Sequence, residues 1–243
     1  GQYQCRKCSK IHPRLRSDAQ LTRKDWNVYC PICGRTVMPV ATSEDKPLFC
    51  TSVYALSKKD QEELCLLVGK TYGIPTVALR YFNIYGSRQA LSNPYTGVCA
   101  IMSSRIKNNH PPIIYEDGLQ SRDFIHVKDI IKANLLVMKS PKADFQAFNV
   151  GTGKPTTILD IAKILLRLYK AHNLKPQIEN SYRKGDIRHC YADISRIKSL
   201  GFKPSVDFGG GMKELIDWAK IQEAKDKVRH ADSQLIAKGL RVL

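Results

Sequence analysis

Long hydrophobic runs are missing from this 243-residue sequence. Its apolar stretches, such as Leu64–Val68 and Leu135–Met138, fall far short of the ~18 residues a membrane helix needs, so no membrane partner is expected. Acidic residues are scarce, 22 against 39 basic ones. The excess is spread out: basic and acidic residues number 9 and 4 in residues 1–50, 24 and 15 in 51–219, and 6 and 3 in 220–243. No block of five or six like charges occurs, which makes nucleic acid an unlikely partner. A phosphate-bearing small ligand, or an acidic portion of a longer chain, accounts for the balance equally well. Internal repeats and low-complexity segments are absent, and a composition of 43% apolar and 25% charged residues excludes a disordered chain. The sequence has no initiator Met and no basic-then-apolar leader at Gly1. It is therefore expected to be trimmed or the interior of a longer chain, with the reducing cytoplasm as its compartment.

What is present begins with cysteine. Of eight, four are scattered (Cys50, Cys65, Cys99, Cys190) and suit small buried apolar positions. The others form Cys5-x2-Cys8 and Cys30-x2-Cys33, with 21 residues between the pairs. Each CxxC places two thiolates on one tight knuckle, and two knuckles make a closed tetrahedral sulfur site of the kind that holds structural zinc. A closed site has no open coordination position, so its metal would stabilise rather than catalyse. A degenerate ribbon that has lost its metal is the alternative.

Residues 1–48 therefore read as a zinc-ribbon-like insert and linker, the linker running from Ala41 to Phe49 between Pro39 and Pro47. The character then changes. Val53 to Thr71 is helix-compatible, with Leu56, Leu64, Leu67 and Val68 as its apolar stripe and Gly73 as its stop. Thr76–Phe82 is short, apolar and β-branched, as a buried parallel strand is. Further helices are expected at 96–108, 127–139, 156–170 and 209–225, and strands at 112–115, 123–126, 146–149, 176–179 and 190–192. That alternation is α/β. From Asp226 a charged, loosely amphipathic tail follows, helical or frayed.

Tyr54 and Lys58 stand four residues apart, on one helical face one turn from each other. A phenol is a poor base at neutral pH, and a neighbouring ammonium favours its phenolate. Such a pair can remove a proton from a sugar or alcohol hydroxyl while hydride leaves the carbon. By itself YxxxK is weak, but here it opens a helix just before the strand that ends in Arg80-Tyr-Phe-Asn-Ile-Tyr-Gly86.

Taken with Leu79–Gly86, Asp117-Gly, Arg122-Asp-Phe-Ile-His-Val127, Asn149-Val-Gly-Thr-Gly153, Arg183-Lys-Gly-Asp186 and Tyr191-Ala-Asp193, this segment resembles the extended short-chain dehydrogenase/reductase family, the NAD-dependent sugar-nucleotide epimerases and dehydratases. The run Gln89–Gly97 and the cysteine-rich insert before the Tyr helix are most similar to the dTDP-L-rhamnose 4-epimerases. The resemblance implies an α/β fold with an incomplete Rossmann-like doubly wound sheet, a smaller α/β substrate lobe and the N-terminal zinc-ribbon-like insert. It divides the chain into 1–48 (insert and linker), 49–90 (C-terminal part of the NAD-binding domain), 91–225 (mainly substrate lobe, with returning Rossmann elements) and 226–243 (charged tail). It further implies Tyr54 as acid/base and Lys58 as a ligand of the nicotinamide ribose. Phe82 would touch the nicotinamide end of NAD. Asn83, Arg122 and Arg183 would hold the diphosphate of a dTDP- or UDP-linked sugar, Asp186 a ribose hydroxyl, and Tyr115 would line the base. A homodimer of the intact enzyme is implied as well. On residue type alone, Asn83 could cap a turn, either Arg could be a surface residue, Tyr115 could be a core tyrosine and Asp186 a turn cap. His126 reads as a packed strand residue; Asn93 and Tyr95 fall where the sugar-side loop should run.

The family's glycine-rich NAD turn has no counterpart here, since Gly209-Gly-Gly211 is late and follows Asp207-Phe208. The Ser or Thr of the catalytic set has none either. The chain is thus expected to be the C-terminal portion of an enzyme, inactive alone. Two other readings stay open: another sugar-nucleotide enzyme (UDP-glucose 4-epimerase, 4,6-dehydratase or decarboxylase), or a nucleic-acid or protein adaptor working through Arg14, Arg16, Arg23, Lys24 and Trp26 of the ribbon.

Overall fold

The computed structural model describes residues 1–95 and 97–242; Thr96 of the sugar-side loop and Leu243 lie outside the described residues. The N-terminal module is a three-stranded antiparallel sheet, β1 (Gln2–Cys5) lying between β2 (Ser9–Ile11) and β3 (Met38–Val40). The first CxxC forms the β1–β2 turn. In the second, the Cys30 amide donates to Arg35 O at 2.8 Å and the Gly34 amide to Cys30 O at 2.9 Å. Tyr3, Cys5, Ile11, Val28, Cys30 and Val37 are the buried apolar residues here. A core this small does not hold a fold without a staple. Between the knuckles, Ser17 caps the short helix α1 (Asp18–Thr22), its hydroxyl accepting from the Gln20 amide at 3.2 Å. Leu21 and Trp26 then bury against Tyr182 and Val242 of the main body.

The expected linker is docked rather than slack. Thr42 bridges Ala192 in parallel, and the buried Glu44 carboxylate accepts from the Asn149 amide at 2.9 Å. Asn149 in turn donates its side-chain amide to Thr42 O at 2.8 Å. A backbone segment that enters a protein interior must pair its polar groups, and these residues do so.

Helix α2 (Val53–Tyr72) starts at Ser52, whose hydroxyl accepts from the Ala55 amide at 3.1 Å, and stops at Gly73, left-handed at φ 66°. The expected stripe of Leu56, Leu64, Leu67 and Val68 does not pack inward. All four are exposed, and Gly69 is the buried residue of the helix. The helix is instead tied to the next strand, β4 (Val77–Tyr81), by Arg80, which forks onto Glu62 at 2.7 and 2.6 Å.

The rest alternates as α/β. In order come β5 (Asn83–Tyr85), α3 (Val98–Lys107), β6 (Ile113–Ile114), β7 (Ser121–His126), α4 (Val127–Met138), a 3-10 turn (Pro141–Ala143), β8 (Gln146–Val150) and β9 (Pro155–Thr157). They are followed by α5 (Ile158–Tyr169), β10 (Gln177–Ile178), β11 (Tyr182–Arg183), β12 (His189–Cys190), α6 (Ser195–Ser199), α7 (Phe208–Lys220), α8 (Val228–Ala237) and β13 (Arg241–Val242). β4 pairs in parallel with β8 and β5 with β7, the latter flanked by β12 in parallel and β9 antiparallel. In α5, Ile158, Ile161, Ala162, Leu165 and Leu166 are buried, the spacing of one helical face, and they meet Met102 of α3 and Leu215 of α7 in the larger core. A second core joins Phe148, Val150, Ile125, Ala133 and Ile197.

One expectation changes here. The helix expected over 209–225 ends at Lys220, because the following residues turn to serve α3: Asn108 donates to Ala224 O at 2.7 Å and Arg105 pairs with Asp226 at 3.0 Å. For the tail, expected helical or frayed, the helical form holds and a short strand is added. It forms α8, and β13 pairs antiparallel with β11, Arg183 opposite Arg241. No helix of the described residues is long and apolar enough to cross a membrane.

Candidate active site

Several motifs turn out to build the frame rather than the site. Asp123, fully buried in β7, accepts from the Thr152 amide at 2.8 Å, the Thr152 hydroxyl at 2.6 Å, the Gly153 amide at 2.8 Å and the Ala192 amide at 3.1 Å. Between these groups stands Gly151, where a Cβ would come within 2.5 Å of Asp123 Oδ2 and 2.8 Å of Ala192 Cβ. One carboxylate thus knits the Asp of Arg122-Asp123, the Gly-Thr-Gly turn and the Ala of Tyr191-Ala-Asp193. His126 is packed as expected: it is buried, accepts from the Lys128 amide at 3.3 Å through Nδ1, and sets its ring edge-on to Tyr85, centroids 5.3 Å apart.

Two hollows share Asn83, the first residue of β5. The larger, about 890 Å³, is lined by Tyr54, Lys58, Phe82 and Asn83 together with Arg80 and Asn149. The smaller, about 190 Å³, is lined by Asn83, Tyr115, Arg122, Arg183 and Asp186. Every residue singled out in sequence as binding cofactor or substrate lines one of them, and Asn83 lines both. The topology is the reason. Asn83 opens β5 directly opposite Phe124 of β7, and Arg122 lies two residues earlier on β7 and opposite Cys190 of β12.

In the larger hollow Tyr54 is 72% exposed, and the Lys58 ammonium lies 5.9 Å from the centre of its ring. Lys58 Nζ also donates to Gln61 Oε1 at 3.2 Å. Phenol and ammonium therefore open onto the same space, in reach of one ligand. Phe82 is anchored by its amide, which donates to Val150 O at 3.1 Å.

The smaller hollow is walled by guanidinium groups. Arg122 donates to three backbone carbonyls, Ser121 O at 2.9 Å, Arg188 O at 3.2 Å and Ile187 O at 2.6 Å, which fixes its plane. Arg183 lies over the Tyr115 ring at 4.5 Å and donates to its hydroxyl at 2.8 Å. Arg241 covers the same ring at 4.9 Å, and the Tyr115 hydroxyl donates to Asp232 at 2.5 Å. Burial, with the Asp232 hydrogen bond adding to it and Arg183 opposing it, pushes the Tyr115 phenol up to about 12. Two cations thus lie against the ring of Tyr115, which also lines the hollow. Asp186 sits at the mouth, exposed, its amide donating to Arg183 O at 3.2 Å. On the sugar-side loop the Tyr95 amide donates to Asn93 Oδ1 at 2.9 Å, and the Tyr95 hydroxyl to Gln234 of α8 at 2.9 Å.

Sequence reasoning missed the pairings behind this wall. Arg16 of the N-terminal module forks onto Glu116 at 2.9 and 2.8 Å, and Arg188 pairs with Glu116 at 2.9 Å and with Asp117 at 2.6 and 2.7 Å. Asp232 and Arg241 of the tail form a buried ion pair at 2.8 Å. The spacing of these residues along the chain carries no signal of the pairings. These contacts also bear on the adaptor surface. Trp26 is buried and Arg16 is committed to Glu116, so only Arg14, Arg23 and Lys24 of that set remain exposed.

The four paired cysteines converge as their spacing requires. Their sulfurs all lie within 4.8 Å of one another, Cys5 and Cys33 at 3.6 Å. Bonds of ~2.3 Å in a tetrahedron put sulfurs ~3.8 Å apart, so the residues fit a divalent zinc ion. The Cys8 and Lys7 amides, directed at Cys5, draw its thiol down to about 7.

Residues 34–151 match the NAD dependent epimerase/dehydratase family. The dTDP-L-rhamnose 4-epimerase of Burkholderia thailandensis is 32% identical over 209 residues, 86% of this chain and 56% of the relative. Among solved structures, the UDP-glucose 4-epimerase of Thermotoga maritima with UDP-glucose aligns at TM-score 0.68 and 32% identity, covering 74% of this chain and 57% of that one. The UDP-glucuronic acid 4-epimerase of Bacillus cereus, in complex with UDP-glucuronic acid and NAD, aligns at TM-score 0.67 and 29% identity, covering 75% and 57%. Matches extend to a decarboxylase and 4,6-dehydratases of sugar nucleotides. The chain thus spans little more than half the length of the relatives it matches. With the Tyr/Lys pair, the arginine-walled cleft and the Rossmann-like α/β frame all in place, the chain belongs to the NAD-dependent sugar-nucleotide epimerase/dehydratase family of short-chain dehydrogenase/reductase type.

Proposed function

We propose that this chain carries the acid/base and the substrate cleft of an NAD-dependent nucleotide-sugar 4-epimerase of the dTDP-L-rhamnose 4-epimerase type. The observation that supports this reading most directly is Asn83, which lines both the hollow of Tyr54 and Lys58 and the hollow of Arg122 and Arg183. A diphosphate held between the guanidinium groups places its sugar toward the phenol.

The residues present fit one end of NAD: Tyr54, Lys58 and Phe82 line one hollow of about 890 Å³. The sequence holds no glycine-rich turn for the phosphates of the cofactor. When bound, NAD supplies a hydride acceptor that is regenerated in each turnover. Tyr54 takes the proton of the sugar C4 hydroxyl as the C4–H bond breaks, leaving a 4-keto sugar. Lys58, one helical turn on, holds the nicotinamide ribose. Asn83, Arg122 and Arg183 keep the diphosphate while the sugar turns about it. Tyr54 returns the proton as the C4–H bond forms again on the opposite face. The cysteine site, closed by four sulfurs, holds structural zinc and takes no part in these steps.

In protein that carries a dinucleotide-binding half, Tyr54→Phe is expected to cut epimerisation roughly 10²-fold or more, with nucleotide-sugar affinity within about twofold of the parent. An unchanged rate would overturn the assignment of Tyr54. The 243-residue chain alone, mixed with dTDP-L-rhamnose and NAD, should give no C4 epimer by NMR. Turnover by it would contradict the need for a separate phosphate-binding turn, and release of a dehydrated product would favour the dehydratase reading.

A further inference from the structure

The 21 residues between the two cysteine pairs are where the N-terminal module leaves its own sheet and reaches the substrate cleft. Three observations locate that reach. Leu21 and Trp26 bury against Tyr182, the residue before Arg183, and the Thr22 hydroxyl lies 3.3 Å from the Tyr182 hydroxyl. Arg16 forks onto Glu116, with both side chains 5% exposed. The same guanidinium donates to Asp186 O at 3.2 Å and to Trp26 O at 3.3 Å.

Glu116 is the follower of Tyr115 and stands at φ 52°, a left-handed conformation that a non-glycine residue holds only when its surroundings impose it. Its amide donates to Ser181 O at 2.8 Å, and its carboxylate is shared between Arg16 and Arg188. Arg16 thus bridges the two segments, 115–117 and 182–188, that carry Tyr115, Arg183 and Asp186. A guanidinium can do this where an ammonium cannot, since its planar fork serves a carboxylate and still has donors for two carbonyls.

The arm is anchored at both ends by cysteine knuckles. Joining Cys5 and Cys8 to Cys30 and Cys33 closes it into a loop, which lowers the entropy cost of keeping Arg16 in place. We infer that the segment between the cysteine pairs is a clamp on the nucleotide-diphosphate cleft, with Arg16 as its positioning residue and metal at the four cysteines setting how firmly it is held. The clamp acts by fixing Arg183 and Asp186, so its effect on ligand rests on the substrate cleft proposed above. Its effect on the two segments does not.

The test uses the whole 243-residue chain, with zinc content measured by elemental analysis, and the variants Arg16→Gln and Arg16→Lys. Amide hydrogen exchange is followed over 115–118 and 182–188, and dTDP and UDP are titrated calorimetrically. Arg16→Gln, still holding one zinc, is expected to speed exchange in both segments by about tenfold and to weaken nucleotide binding by a similar factor. Arg16→Lys, which keeps the charge but loses the fork, should fall between the two. Removing zinc from the parent with a chelator under reducing conditions should reproduce the exchange pattern of Arg16→Gln. Exchange in 115–118 and 182–188 that is the same in all three proteins, or that after chelation rises only within residues 1–40, would overturn the clamp. If the parent binds neither nucleotide, the substrate reading fails, and the exchange data still decide the clamp.

Discussion

At the scale of single residues, sequence spacing was informative where partners are close along the chain. Tyr54 and Lys58 are one turn apart, and the structure brings ammonium to ring at 5.9 Å. Arg16 and Glu116 are 100 residues apart, and nothing local to either reveals the other. His189 illustrates a group whose state is set by such distant neighbours. Its Nδ1 lies 2.9 Å from the Ser121 hydroxyl, and the Tyr3 ring meets it at 6.4 Å between centroids. Burial first, then the charges of Arg188, Arg122 and Arg16, pull its imidazole down from 6.5 to about 4. A histidine with a lowered folded value stabilises the protein fully above its unfolded value, and that stability is lost as pH falls from 6.5 toward 4. The loss across this window is about 3 kcal/mol. Denaturant titrations of His189→Asn, which keeps a hydrogen-bonding atom near Nδ1, should show a flatter pH dependence there; an unchanged slope would remove His189 as its source.

At the scale of elements, periodicity found the helices whose faces are covered. In α5 the buried residues fall at the positions expected for a core-facing helix. For α2 the same kind of pattern led to an expectation of burial, and Leu56, Leu64, Leu67 and Val68 are exposed instead. A pattern records what a helix is built to cover, and says nothing of whether the covering element belongs to the 243 residues. The tail was expected to be helical or frayed, and it is helical over Val228–Ala237. Its Asp232 and Arg241 are buried because they neutralise each other against Tyr115 and Glu179. Asp232→Ala leaves Arg241 and the Tyr115 hydroxyl without this partner, at a cost of about 3 kcal/mol. That corresponds to a fall in Tm of roughly 6–12 °C for a chain of this size. A Tm within a degree of the parent would mean that the tail is not part of the cooperative unit.

At the scale of the whole molecule, the family motifs could be read in sequence as a group, and they divide in the structure into two jobs. Asp123, Asn149, Thr152 and Gly153 hold the frame together by hydrogen bonds, while Tyr54, Lys58, Asn83, Arg122 and Arg183 line the two hollows that share Asn83. The division into insert, partial NAD domain, substrate lobe and tail remains a proposal, and two of its boundaries are bridged. Glu44 of the linker accepts from Asn149, and α8 of the tail contributes Val228 and Ala231 to the smaller hollow. Neither link was visible in sequence, because the partners stand far apart along the chain, 105 residues for Glu44 and Asn149, and no local spacing connects them.

The claim on which the rest depends is that the arginine-walled cleft beside Asn83 holds a nucleoside diphosphate. Isothermal titration of the zinc-loaded chain with dTDP and with UDP tests it directly. One nucleotide is expected to bind per chain, with affinity reduced by about tenfold in Asn83→Ala and again in Arg122→Ala, each consistent with the loss of a charge-assisted or neutral hydrogen bond to phosphate. Failure of both nucleotides to bind, or affinities unaltered by either substitution, would contradict it.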